Sequence, residues 1–533
     1  MRGTAACVTA GRLAAADPSL KILLLEAGPH VRDLAKHIQP GRYFNNLAIS
    51  EQNLFTFHIG KPSKALNGRS AVVPTGRCVG GGSSVNFVMY TRASASDYDD
   101  WEKQGNPGWG SKVLIPLSNK AETFQVEGYT GHGTSGPIKI SAGGIITNVG
   151  QELLDVATVY DKERGGDQAA GLEYTDDDVG RNQGVESVHR VTASRLVVLS
   201  AGAFGSPAIL ERSGIGSKEL LQKLDIPVLV DLPGVGENYN DHNLVFNGYY
   251  ASSESDTMDD IFRGTEEEIE PYVTQWQKGE KKGLMAHNGI DGGIKIRPNE
   301  KDLQEIGSTF KKRWEEFYLK SPDKPVMWAG VLCAYTGSDP NVPRGKYFST
   351  GYYAEYPIST GRVHIKTAQD PYAPLDFEPG FLDDPADLHV LRWTYKHMRE
   401  IARRMKHYRG EIPSHHPHFP TSSAAATGKR SGPDDMNAEH IVYTEEDNEA
   451  IDDFHRRTVE TTWHSLGTCA MKPREKNGVV DPSLNVYGVR NLKVVDLSIA
   501  PSNVGANTYN TALVIGEKAA VVIARELGIK GVN

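Results

Sequence analysis

Short apolar runs and helically spaced apolar residues alternate near both ends of the chain. Residues 5–16 are alanine-rich, with apolar side chains at helical spacing, which predicts a helix. Residues 21–25 (KILLL), 195–202 (RLVVLSAG) and 492–498 (LKVVDLS) contain apolar runs of strand length and predict buried strands. Residues 511–527 predict a long amphipathic helix. Buried strands alternating with helices are typical of an α/β fold.

The middle of the chain, about residues 245–440, has a different pattern. It is richer in charged and aromatic residues, with helical patterns at 308–319 and 388–405 and strand-like alternation at 360–367. Residues 417–440 are polar and rich in proline, glycine and serine, which predicts an exposed loop. We therefore predict an inserted α+β domain, and we divide the chain into residues 1–244, 245–440 and 441–533.

Composition and charge exclude several classes of protein. The 533 residues are too many for one core, and 39% hydrophobic with 23% charged residues is typical of a globular protein. A net charge of −9, without a long basic stretch, argues against a nucleic-acid partner. The four cysteines have no C-x-x-C spacing and suggest neither a zinc site nor a disulfide framework. There is no membrane-length apolar run, signal-peptide core or C-terminal S-K-L, so we expect no membrane partner and a cytoplasmic or peroxisomal location.

The first 26 residues resemble half of a dinucleotide-binding unit. A helix follows Gly3, a predicted strand follows the helix, and Glu26 ends that strand 23 positions after Gly3. In such a βαβ unit the glycine-rich turn approaches a pyrophosphate, and the acidic residue accepts hydrogen bonds from a ribose hydroxyl. The unit's first strand and first glycine are not seen before Gly3, so we expect weakened cofactor binding. A plain surface helix followed by a core strand is the alternative.

Several ordered motifs resemble the glucose–methanol–choline (GMC) oxidoreductase family. They are GRCVGGGSSVNFVMYTR (76–92), GAFGSPAILERSGIG (202–216), PGVGENYNDH (233–242), and the C-terminal run from TTWHSLGTCAM (461–471) through VVDLSIAPSNVGANTYNT (494–511). The runs around NFVMYTR, DKPVM and GEIPSHHPHFP are similar to the fungal alcohol (methanol) oxidase branch. The resemblance implies a Rossmann-like FAD-binding domain with an inserted substrate-binding domain.

The glycine-rich loops and nearby polar residues are the candidates for holding FAD. Consecutive glycines let a backbone approach a cofactor without an intervening Cβ and aim N–H groups at it. Asp496, at the end of a predicted strand, is a candidate for a ribityl hydroxyl, with capping of the following loop as its alternative role. The predicted cofactor-binding set is Gly3, Glu26, Arg77, Gly81, Gly82, Ser83, Asn86, Asp496, Asn507 and Thr508.

His464 and Asn507 are the predicted catalytic residues. Oxidation of an alcohol requires the hydroxyl proton to leave as hydride transfers, and a neutral imidazole is suited to accept it near pH 7. A second polar group must hold the oxygen while alkoxide character develops. Asn507 lies in GANT and matches the asparagine of the family's His–Asn pair. A buried structural histidine is the alternative for His464.

Other positions define the expected pocket and cofactor linkage. Phe87, Met89 and Trp463 match residues that narrow the pocket in the short-chain alcohol branch, with core packing as the alternative. Val85 stands where choline-oxidising members have the histidine that is linked to flavin, so we expect FAD to be non-covalent. The histidines of SHHPH (414–418) suggest a metal site, but we predict a solvated loop and no metal.

The expected activity is FAD-dependent oxidation of a small primary alcohol to an aldehyde, with O2 as acceptor and H2O2 as product. An aryl-alcohol or other GMC dehydrogenase, or a flavin-free inactive homologue, are the alternatives. The resemblance also implies a possible homo-oligomer. The segment at residues 178–184 is shorter than the corresponding segment of the family, which lies beside the adenine of FAD. We therefore expect this shortening to weaken FAD binding as well.

Overall fold

The computed structural model describes residues 3–46, 54–126, 128–141, 143–160, 193–279, 281–371 and 373–532. The shortened segment at 178–184 lies outside these residues. The helices are α1 (Thr4–Ala16), α2 (Ala35–Ile38), α3 (Tyr43–Asn46), α4 (Ala95–Lys103), α5 (Ser111–Ala121), α6 (Asn148–Tyr160), α7 (Gly202–Arg212), α8 (Lys218–Lys223), α9 (Asp259–Arg263), α10 (Glu266–Lys278), α11 (Glu300–Ile306), α12 (Ser308–Arg313), α13 (Pro385–Arg404), α14 (Glu445–Thr458) and α15 (Thr508–Leu527).

The strands are mostly short, and the longer ones lie in the middle of the chain. They are β1 (Phe55–Ile59), β2 (Val72–Gly76), β3 (Glu122–Phe124), β4 (Ile138–Ile140), β5 (Val197–Leu199), β6 (Ile215–Gly216), β7 (Val230–Asp231), β8 (Asn243–Ala251), β9 (Gly292–Ile296), β10 (Met327–Leu332), β11 (Tyr347–Ala354), β12 (Arg362–His364), β13 (Asp376–Glu378), β14 (Tyr408–Glu411), β15 (Glu460–Thr461) and β16 (Leu492–Val494).

The two ends of the chain build the first hydrophobic core. Helix α1 packs on α15, and a Cβ at Gly516 would lie only 2.8 Å from the carbonyl oxygen of Ala5, so this close approach requires glycine. Thr9 Oγ1 donates to the Gly516 carbonyl at 2.9 Å. Beneath these helices β5 and β16 pair in parallel, as expected of a Rossmann-like layer. The predicted helices at both ends and these two predicted strands are thus present.

The middle of the chain forms a larger antiparallel sheet with a core of its own. The strand order is β14-β8-β11-β10-β9, and β15 pairs with the start of β8. One face of this sheet packs against α13 and α6. Ile451 and Phe454 of α14 also belong to this second core. Mixed α and β content around a parallel layer agrees with the predicted α/β class.

The strand predicted at residues 21–25 is wrong. These residues form no strand, and Leu23 and Leu25 are each 61% exposed. Among the described residues, β5 pairs with β16 in a two-stranded sheet that does not include this run. An apolar run becomes a buried strand only where neighbouring elements cover both faces, and these leucines are not covered.

The prediction of a solvated histidine loop is wrong for His415 and His416 of SHHPH, whereas His418 is exposed. His416 is only 1% exposed; its Nδ1 lies 3.1 Å from the Tyr395 hydroxyl and its Nε2 3.1 Å from the Gly248 carbonyl oxygen. Burial lowers the pKa of His416 to about 3, so the ring is neutral. His415 Nε2 lies 2.9 Å from the Tyr335 hydroxyl. These histidines tie the loop to the sheet, whereas residues 417–440 are irregular and largely exposed, as predicted.

The described residues contain no helix that is both long enough and apolar enough to span a bilayer. The longest helices, α13 and α15, have 20 residues each and carry charged side chains.

His364, on β12, contacts two glutamates that are distant in sequence, and these contacts make the free energy of unfolding depend on pH. Its Nδ1 lies 2.6 Å from Glu211 Oε1 on α7, and its Nε2 lies 3.1 Å from Glu237 Oε1. Burial alone would lower the pKa of His364, but hydrogen bonds to both carboxylates outweigh burial and raise the pKa to about 9. Because this value exceeds that of an unfolded histidine, the stabilisation is fully present below about pH 6.5 and is lost as pH rises through about 9.

We therefore expect His364→Gln to lower the free energy of unfolding by roughly 2 kcal/mol at pH 6 and by much less at pH 9.5. Urea unfolding of both proteins at each pH measures the difference. His389→Gln, which changes a histidine on α13 hydrogen-bonded to Thr309, is the control. An equal loss at both pH values would show that His364 is not a charged link.

Candidate active site

A cavity of about 990 Å³ lies between the first core and the antiparallel sheet. All residues predicted to bind the cofactor or act in catalysis line it, and their roles stay predictions. They are Gly3, Glu26, Arg77, Gly81, Gly82, Ser83, Asn86, Asp496, Asn507, Thr508 and His464. The predicted pocket residues Phe87, Met89 and Trp463 line the same cavity.

One end of the cavity is a backbone cradle. Helix α1 begins beside Gly3, and no side chain caps its first turn. Gly3 forms a parallel bridge with Gly80, and Gly81 has φ +58°, a left-handed conformation that favours glycine. A Cβ at Gly82 would meet nothing within 4 Å. Uncapped helix N–H groups beside an open glycine loop bind anions, so this end fits the pyrophosphate of FAD.

Two carboxylates border this cradle. Glu26 Oε1 accepts a hydrogen bond from the Gly28 N–H at 3.0 Å. Asp496 Oδ2 accepts from the Gly202 N–H at 2.9 Å and from Ser206 Oγ at 2.6 Å, which fixes the start of α7. Asp496 Oδ1 also accepts from the Ser498 N–H at 2.8 Å, so Asp496 caps the loop that follows it, while its role toward a ribityl hydroxyl stays a prediction.

His464 and Asn507 meet at the other end of the cavity. Asn507 lies at the start of α15, and its Nδ2 is 3.2 Å from His464 Nε2. Thr91 fixes the amide, because its Oγ1 donates to Asn507 Oδ1 at 3.0 Å and accepts from the Asn507 N–H at 2.7 Å. The amide N–H group is therefore the one that faces His464.

His242 determines which nitrogen of His464 carries the proton. His242 Nε2 lies 2.9 Å from the Glu355 carbonyl oxygen and 3.1 Å from that of Val504, and carbonyl oxygens only accept. Burial lowers the pKa of His242 to about 3, so this neutral ring has its proton on Nε2 and accepts at Nδ1. His464 Nδ1, 2.7 Å away, must donate. The lone pair of His464 is therefore on Nε2, beside the Asn507 amide.

The electrostatic surroundings keep His464 neutral. Burial, followed by the neighbouring His242, lowers the pKa of His464 well below 6.5. The backbone N–H of His464 donates to Asp241 Oδ1 at 3.0 Å, and Thr461 Oγ1 donates to Asp241 Oδ2 at 2.6 Å. Trp463, between them, has φ +60°, which is strained for a tryptophan, so Asp241 holds a tight turn that aims the imidazole.

Aromatic and aliphatic side chains also line the cavity. The Phe87 and Trp463 rings lie 4.5 Å apart between centroids. Sequence reasoning missed further lining residues on the sheet, namely Leu244, Phe246, Trp328 and Tyr353. It also gave no role to Asp241 and His242, although both end the PGVGENYNDH motif, which was the available signal.

A possible metal cluster is better explained by hydrogen bonds. Ligand atoms of His287, Asp291 and Cys333 lie within 4.8 Å of one another. The Gly289 N–H donates to His287 Nδ1 at 2.8 Å, so Nε2 donates to Asp291 Oδ1 at 2.5 Å. Asp291 also accepts from the Thr147 N–H at 3.0 Å. The group joins α6 to the loop before β9.

Comparison with known proteins identifies the family. Profiles described as GMC oxidoreductase match residues 3–158 and 143–244 at the N-terminal side and 357–516 at the C-terminal side. The alcohol oxidase of Pichia angusta is 37% identical over 633 aligned positions, covering 99% of this chain and 94% of that protein. The alcohol oxidase of Candida boidinii is 37% identical over 634 positions with the same coverage.

Solved structures agree with this assignment of the fold. An FAD-dependent oxidoreductase from Chaetomium thermophilum has a TM-score of 0.78 and 22% identity, covering 99% of this chain and 98% of that one. The chain belongs to the GMC oxidoreductase family. Within it the protein lies in the branch of the FAD-dependent alcohol oxidases, which confirms the family, the branch and the class of enzyme that the motifs indicated.

We expect His464→Ala to slow reduction of bound flavin by alcohol at least about a hundredfold, because the proton acceptor is lost. Asn507→Ala should slow it less and raise KM. Anaerobic stopped-flow absorbance over a range of alcohol concentrations measures the limiting reduction rate, and steady-state turnover over the same range gives KM. His389→Ala, outside the cavity, is the control. If the flavin of His464→Ala is reduced at the wild-type rate, His464 is not the proton acceptor.

Proposed function

We propose that the protein oxidises a small primary alcohol to the aldehyde and passes the electrons to O2, forming H2O2. One observation carries the proposal: Nε2 of a neutral, buried His464 and Nδ2 of Asn507 lie side by side on the wall of the cavity, 3.2 Å apart. A hydroxyl group in contact with both atoms has an acceptor for its proton and a donor for its oxygen.

The chain's own residues would handle the proton and the charge. The substrate O–H donates to His464 Nε2, which takes the proton as the carbonyl forms. The Asn507 amide donates to the oxygen while it carries partial negative charge. His242 Nδ1 accepts from His464 Nδ1–H, which leaves the lone pair on Nε2 to receive the substrate proton. FAD, when bound, supplies the hydride acceptor.

We further propose that FAD is held without a covalent bond. Val85, on the glycine loop, has no nucleophilic atom and lines the cavity. Cys78 lines it too, but burial raises the pKa of its thiol to about 12, so the reactive thiolate is not formed near pH 7. The uncapped start of α1 and the loop at Gly81 and Gly82 would hold the pyrophosphate instead.

Acid precipitation of the purified yellow protein should therefore release all of its flavin. The supernatant is expected to carry the full absorbance near 450 nm, with a colourless pellet. Flavin remaining in the washed pellet would contradict non-covalent binding.

A panel of alcohols with peroxide detection, in excess FAD, tests the activity. We expect short primary alcohols to give stoichiometric H2O2, because Phe87, Met89 and Trp463 restrict the pocket. Phe87→Ala should raise kcat/KM for bulkier alcohols by about tenfold relative to short ones. Aldehyde formation without H2O2 would indicate a dehydrogenase, and no aldehyde from any alcohol would refute the proposal.

A further inference from the structure

Three glycines form a row across the antiparallel sheet where it faces the cavity. Gly351 of β11 pairs with Gly330 of β10, which pairs with Gly293 of β9. On its other side Gly351 pairs with Phe246 of β8. Directly paired residues of antiparallel strands share a face, and Phe246, Gly330 and Gly351 line the cavity. The row therefore lies on the cavity side of the sheet.

Two aromatic side chains occupy the space that side chains in this row would take. A Cβ at Gly351 would lie 2.7 Å from Phe246 Cε1, and one at Gly330 would lie 2.7 Å from Trp328 Cη2. A Cβ at Gly293 would lie 2.9 Å from Trp328 Nε1. These approaches are closer than carbon atoms tolerate, so the absence of Cβ atoms is what lets both rings lie flat on the sheet.

The two rings differ in how they are held. Trp328 stacks on Tyr353 with centroids 5.1 Å apart, and Tyr353 stacks on His242 at 4.7 Å. A continuous stack of rings therefore joins Trp328 through Tyr353 to His242 of the histidine pair. Phe246 is half-buried, and its ring lines the cavity over Gly351.

We propose that Trp328 and Phe246 form the wall against which the apolar chain of the alcohol lies, and that Gly351 sets the chain length by keeping the Phe246 ring flat. The inference rests on the proposed alcohol oxidation and extends it to a substrate class: unbranched primary alcohols with an apolar chain longer than one carbon. The position of the Phe246 ring limits how much of the chain fits, and one methylene that does or does not fit changes the relative kcat/KM by about tenfold or more.

Substitution at Gly351 tests the wall. Gly351→Ala adds a methyl group that pushes the Phe246 ring into the cavity. We expect kcat/KM for butan-1-ol to fall at least about tenfold relative to that for methanol, mainly through KM. Phe246→Ala should raise kcat/KM for hexan-1-ol relative to that for methanol. In the double variant, the added methyl group meets no ring, so Gly351→Ala should have little further effect.

Gly428→Ala is the matched control, because its added Cβ meets nothing within 4 Å. Flavin absorbance and melting temperature show whether each variant is folded; if Gly351→Ala is not, the Phe246→Ala ratio decides. If Gly351→Ala changes kcat/KM equally for all alcohols, the proposed wall is wrong. The same holds if Gly351→Ala has the same effect in the wild-type and Phe246→Ala proteins. An unchanged ratio in Phe246→Ala also overturns it. If the wild-type protein with FAD oxidises no alcohol in the series, the proposed function itself fails.

Discussion

The direction of one buried hydrogen bond controls the chemistry available to this protein. Two main-chain carbonyl groups, those of Glu355 and Val504, force the proton of His242 onto Nε2. The remaining nitrogen can then only accept, and His464 must donate to it. A base is thus created at Nε2 of His464 without any charged partner, by backbone geometry alone. The strands and loops that carry these carbonyls are therefore part of the proposed catalytic site.

Both cores contribute to that geometry. Val504 and Asn507 come from the C-terminal segment of the first core, whereas Glu355 follows β11 of the second. His242 lies directly before β8, and His464 follows β15, which pairs with β8. Asp241 ties these two neighbours together through the turn at Trp463. The histidine pair is consequently aligned only when the sheet and the nucleotide-type layer pack together.

The parts of the structure that follow local rules were predictable from sequence. Helix α1 and the C-terminal helix have clear periodicity, and the glycine motifs located the cavity. The run at 21–25 failed because its hydrophobicity gives no information on whether a neighbour covers it. The prediction that His416 lies in a solvated loop was wrong because the burial of His416 depends on Tyr395, which is distant in sequence. The acceptors that orient His242 lie more than 100 residues away, so the PGVGENYNDH motif could mark this histidine but not which of its nitrogens carries the proton.

The contact of α1 with α15 has a consequence for biosynthesis. Thr9 donates its hydrogen bond to a residue 507 positions later, and β5 pairs with a strand almost 300 positions later. A chain that emerges from its N-terminus cannot make these contacts until synthesis is nearly finished, whereas β8 to β11 can pair well before. The half that would receive the nucleotide is thus assembled last. Its early segments must wait, with apolar surface uncovered, for the final helix.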